Sequence, residues 1–85
     1  MEPNPFNPST SARFTLASSQ RVALDVYDVR GARVRALVSS FLPAGSHRVA
    51  WDGRDDAGRS AASGVYFIRF VTTDRRQTMK VMLLK

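Results

Sequence analysis

Eighty-five residues support one small core, which excludes a two-lobed enzyme with a cleft between domains. With no cysteine and a single histidine, His47, the chain has no disulfide framework, no thiol nucleophile, no Cys-based zinc or iron–sulfur site and no multi-His metal cage. Thirteen basic residues against seven acidic ones give a net charge of +6, but the basic residues are scattered, with Arg75-Arg76 the only adjacent pair, so they read as a solvated surface and nucleic acid is not the expected partner.

Residues 1–11 form a Pro- and Asn-rich lead-in: Pro3, Pro5 and Pro8 remove backbone donors and bias their neighbours toward extended or turn geometry. Residues 12–85 read as one folded domain. Ala12, Phe14 and Leu16 alternate with polar residues, and so do Val22, Leu24 and Val26, the period-two pattern of half-buried strands. Asp28-Val29-Arg30-Gly31 carries a tight turn, with an Asp that bonds forward to backbone and a Gly that accepts positive φ. A strand follows through Val34 to Val38, and Leu42-Pro43-Ala44-Gly45 breaks the chain again.

Ser46 to Trp51 resumes the alternation, placing Trp51 in the predicted core. Asp52, Gly53, Asp55 and Gly58 make the next stretch turn-rich, and Gly64 leads into Val65–Val71, whose inward set is Tyr66, Ile68 and Phe70. The last strand, Gln77 to Leu84, presents Met79, Val81 and Leu83 on one side and Lys80, Met82 and Leu84 on the other. About seven short extended segments, with no apolar stripe at helical spacing, predict an all-β fold, an immunoglobulin-like antiparallel β-sandwich.

The chemistry-bearing residues do not assemble into a catalytic set. His47 has no nucleophile or carboxylate at a motif spacing. Asp52, Asp55 and Asp56 lack the spacing and distal Glu of a calcium loop and read as turn caps. Gly53, Gly58 and Gly64 form no phosphate-binding fingerprint. No enzyme activity, cofactor or metal is therefore expected. No run of about 18 apolar residues crosses a bilayer as a helix, and the opening residues lack the basic and apolar regions of a secretory signal peptide.

The order of the short motifs carries more than any one of them. Asn4-Pro5-Phe6-Asn7-Pro8-Ser9-Thr10, Val26-Tyr27-Asp28-Val29-Arg30-Gly31, Leu42-Pro43-Ala44-Gly45, Trp51-Asp52-Gly53-Arg54-Asp55, Ser63-Gly64-Val65-Tyr66-Phe67 and Lys80-Val81-Met82-Leu83-Leu84-Lys85 succeed one another. The series resembles the type IX secretion system C-terminal sorting domain, a family related to the immunoglobulin-like domain of the flagellar hook-capping protein. That resemblance implies the secreted or surface-bound tail of a larger protein of Bacteroidetes-like bacteria, with outer-membrane secretion machinery as partner and a cell-surface polysaccharide as a further one. Under it, recognition falls on Lys80, Met82, Leu84 and Lys85. Two other classes stand beside it: a carbohydrate-binding accessory module, favoured by exposed coplanar aromatics, and a structural assembly domain like the hook-cap module, favoured by an apolar patch at a sheet edge.

Overall fold

The computed structural model describes residues 10–84. Six strands succeed one another: β1 (Thr10–Leu16), β2 (Gln20–Tyr27), β3 (Arg33–Leu42), β4 (Gly45–Trp51), β5 (Gly64–Val71) and β6 (Arg76–Leu83). They form two antiparallel sheets, β1-β4 and β3-β2-β5-β6. The core is filled by the alternate residues of β1, β2 and β5 (Ala12, Phe14, Leu16; Val22, Leu24, Val26; Tyr66, Ile68, Phe70), joined by Trp51 and Leu83. Burial of these apolar side chains, at about 25 cal/mol per Å², is the main stabilising term for so small a domain.

The strand count is six rather than about seven. Between Trp51 and Gly64 the chain makes only a one-residue bridge, Arg54 with Ser60, because the residues between them fold into a turn too short to flank a ladder. That turn repeats the β2–β3 connection almost bond for bond. Asp28 accepts N–H bonds on Oδ1 from Arg30 (2.9 Å) and Ala32 (3.0 Å), and Asp55 accepts them from Ala57 (3.0 Å) and Arg59 (2.9 Å). In both, the Gly three residues on donates to the Asp carbonyl and sits at φ near +85°, a conformation that costs an L-residue with a Cβ.

β3 is longer than its alternation suggests and departs from it. Its register against β2 slips between Leu24 and Asp25 and again between Val26 and Tyr27, leaving Leu37 and Val34 with no opposite residue. Each bulge adds a residue on one strand, which allows Val34, Leu37 and Val38 all to pack against the core. β3 is also an outer strand, and its free side is guarded by the 55–59 turn. Asp56 donates its N–H to the Val34 carbonyl (2.9 Å) and accepts the Ala36 N–H on Oδ1 (2.9 Å).

A second correction concerns Met79, grouped in the sequence with the inward set of the last strand. It is 41% exposed, because the two-stranded sheet is too narrow to cover β6 fully. A gap of about 190 Å³ remains between β1 and β6 at that point, floored by Leu24, Ile68 and Phe70. On the neighbouring free side of β1, Arg75 donates from Nη2 to the Thr15 carbonyl (2.8 Å) while lying 5.1 Å from the Phe70 ring.

Candidate interaction surface

Strand pleating turns one residue in two away from the core, and on the four-stranded sheet those residues form a continuous outer face. Tyr27 on β2 stands opposite Phe67 on β5, which stands opposite Lys80 on β6; one step along, Val65 stands opposite Met82. Tyr27, Val65 and Phe67 are half-buried by their neighbours alone. Met82 is 58% exposed and Leu84, just past the strand, 65%. The apolar strip therefore runs from β2 across β5 and ends at the β6 edge, which among the described residues is hydrogen-bonded to β5 on one side only.

Charge borders this strip. Arg69, opposite both Asp25 and Thr78, lies 6.0 Å from the Tyr27 ring centre, and Arg33 approaches Asp25 at 4.0 Å. Partial burial pushes the Asp25 carboxyl above its ordinary value; Arg33 and Arg69 oppose that shift and Asp56 adds to it.

The residues singled out in the sequence distribute over three regions. Lys80, Met82 and Leu84 are exposed at the β6 edge, while Lys85, like the opening Asn- and Pro-rich motif, lies outside the described residues. Asp28, Gly31, Asp55 and Gly58 belong to the paired turns, which face each other across a recess of about 440 Å³. Asp52 accepts from Arg54 N–H (3.1 Å) and from Arg35 Nη1 (3.3 Å), Gly53 accepts at its carbonyl from Ala61, and Gly64 opens β5.

Trp51 and Tyr66 lie together in the core. Trp51 is fully buried, donates from Nε1 to the Arg54 carbonyl (2.9 Å) and meets the Tyr66 ring edge-on at 5.1 Å. The Tyr66 hydroxyl donates to the Ala62 carbonyl (2.6 Å), which resembles the tyrosine corner of immunoglobulin-like sandwiches. His47 points its Nε2 at the Pro43 carbonyl (2.7 Å) and stacks on Phe14. Alternation in the sequence leaves Tyr27, Phe41 and Phe67 outside the core but does not show the strip itself, since Tyr27, Val65 and Phe67 become neighbours of Met82 only through the β2-β5-β6 register.

The model of the FlgD Ig-like domain matches residues 5–76. The chain belongs to that family. Two solved structures are similar to it: FlgD from P. aeruginosa, at 27% identity and a TM-score of 0.67 over 88% of this chain and 60% of that one; and FlgD from Xanthomonas campestris, at 26% identity and a TM-score of 0.68 over 91% of this chain and 58% of that one, described as a protein of hook capping essential for flagellar assembly. The chain thus spans about three fifths of each structure it matches. No curated protein matches it.

Membership in the FlgD Ig-like family overturns the resemblance to the type IX sorting domain, and the expectations drawn from it fall together: a Bacteroidetes-like source, an outer-membrane secretion machine or surface polysaccharide as partner, and a secreted or surface-bound tail. The motifs that suggested it have structural explanations in this sandwich, since Asp28 and Asp55 close turns and Trp51 fills the core. Of the functional classes open to the sequence, the structural domain like the hook-cap module is the one supported. The family match stops at Arg76, so nearly all of β6 lies beyond it.

Proposed function

We propose that this FlgD-family Ig-like domain acts as a non-catalytic docking module in a hook-cap-like assembly, with the residues ahead of β1 as its lead-in. The observation that carries the reading is the apolar strip from Tyr27 through Phe67 and Val65 to Met82, ending at a one-sided strand edge. Such a strip, bordered by Lys80 and Arg69, has the composition of a protein interface core with a charged rim. A sugar platform has less support, because Phe41 is the only exposed aromatic among the described residues.

A role without catalysis is supported by the engagement of the titratable groups. His47 is held between Pro43 and Phe14, and Asp28, Asp52, Asp55 and Asp56 are taken up by backbone N–H groups and arginines. The test introduces Met82→Asp into the full-length protein. Assembly of the cap is expected to fail while the isolated domain keeps its melting temperature, because Met82 projects outward. Normal assembly by that stable variant would remove this face from the interface.

A further inference from the structure

The smaller sheet carries on its outer side a pairing that the described residues leave uncompensated. β1 and β4 place Ser11 opposite Ala50, Arg13 opposite Arg48 and Thr15 opposite Ser46, all exposed. Side chains directly opposite on one face have Cβ atoms about 5 Å apart, and like charges so placed are destabilising. Five other arginines are each matched to carboxylates: Arg30 to Asp28, Arg33 to Asp25 and Asp56, Arg35 and Arg54 to Asp52, and Arg59 to Asp55. Among the described residues, the Arg13 and Arg48 side chains have no such match and make no hydrogen bond.

Between the arginine pair and the Thr15–Ser46 pair lies a recess of about 400 Å³, lined by residues 13–15 and 46–48. The Phe14 and His47 rings stack on each other at 5.4 Å, and the exposed side chains of the lining are Arg13, Arg48, Thr15 and Ser46. Each guanidinium brings five N–H donors in a planar fork and no acceptor, a geometry matched to carboxylate and phosphate oxygens. The next pair along the face, Ser11 and Ala50, is uncharged. Two isolated charges suit a discrete anionic group; a polyanion backbone calls for a stripe.

We infer that this recess is an anion site, in which Arg13 and Arg48 each grip one carboxylate of an extended acidic segment of a partner protein, with Thr15 and Ser46 donating hydroxyl hydrogen bonds. Acidic side chains two apart on an extended chain project from the same face about 6.6 Å apart, within reach of two long side chains rooted about 5 Å apart. The choice of a protein partner rests on the docking reading above; the anion site itself rests on the β1–β4 register. It lies on the opposite sheet from the apolar strip, so Met82→Asp and the variants below fail independently.

The test titrates the 85-residue chain, at low salt and pH 7, with an acetylated, amidated Ser-Glu-Ser-Glu-Ser peptide, its Gln counterpart and inorganic phosphate, following backbone amide resonances. Saturable shifts confined to residues 13–15 and 46–48 are expected with the Glu peptide and none with the Gln peptide. Arg13→Gln and Arg48→Gln should each weaken binding at least about fivefold, while Arg21→Gln, which removes the same charge on the other sheet, should not. Without peptide, Arg13→Gln should melt no lower than the parent, since it relieves a repulsion; a lower melting temperature would contradict the uncompensated pair. Absence of saturable shifts, or their survival in both variants, would overturn the site. Tighter binding of phosphate than of the Glu peptide would overturn its assignment to carboxylates.

Discussion

Asp28 and Asp55 each hold two backbone N–H groups on one oxygen while an arginine approaches the other, and hydrogen bonds to a charged carboxylate favour its ionised form. Both are held below the ordinary value of 3.8: Asp28 first by Arg30's side chain and then the Ala32 N–H, Asp55 first by the Arg59 N–H. A carboxyl whose folded value lies below its unfolded value stabilises the fold above the unfolded value, and that contribution is lost as pH falls through the folded one. Asp25, raised chiefly by partial burial, works the other way and favours the fold as it takes up its proton. Stability should therefore fall on acidification below about pH 4. Asp28→Asn with Asp55→Asn should flatten that loss, and Asp25→Asn should steepen it, as read by urea denaturation at a series of pH values. A double variant with the parent's pH slope would refute the assignment of the acid loss to these two turns.

Among the strands, β3 is the one whose exposed side is most actively managed. An outer strand offers unpaired N–H and C=O groups to any other chain, and here Asp56 occupies two of them, at Val34 and Ala36. Asp56→Ala deletes the acceptor for the Ala36 N–H, so it should cost about 1 kcal/mol in denaturant unfolding. It should also raise self-association at high concentration in sedimentation. An unchanged stability and a monomer at all concentrations would mean that water replaces the carboxylate without loss. Much of the element order is legible in the chain: Val22, Leu24 and Val26 alternate with partners that face outward, and that period is a local property. β3 is less legible because its bulges break the period at Val34 and Leu37. Neither the opposition of Arg13 to Arg48 nor the strip from Tyr27 to Met82 is visible in the sequence. Both depend on which strand pairs with which and in what register, and alternation records only the face to which a residue points.

On the scale of the whole domain, aromatic rings join the two sheets, Phe14 of β1 to Phe70 of β5 at 4.7 Å and Trp51 to Tyr66. Trp51 ends β4 in the smaller sheet, and its ring meets Tyr66 from β5 in the larger. Its removal leaves a cavity against both layers and takes the shorter of two side-chain donors from the Arg54 carbonyl, leaving Arg35 Nη1 at 3.3 Å, so Trp51→Ala should destabilise by about 3–5 kcal/mol. Because that change is a large fraction of what a domain of this size possesses, the variant should be substantially unfolded near its parent's working temperature. Far-ultraviolet circular dichroism across a urea series measures it; a loss below about 1 kcal/mol would mean that the core repacks around the gap.

The pairing of β1 with β4 also orders events in time. β2 with β3 and β5 with β6 are hairpins between sequence neighbours, whereas Thr10 must find Trp51 and Leu16 must find Gly45 across the whole β2–β3 unit. Closing a longer loop costs more entropy before any contact repays it, so the local hairpins have the kinetic advantage and the small sheet closes late. On a ribosome, where chains emerge N-terminus first, β1 must wait unpaired until β4 has been synthesised, and for that interval Phe14 and Leu16 have no finished core to enter.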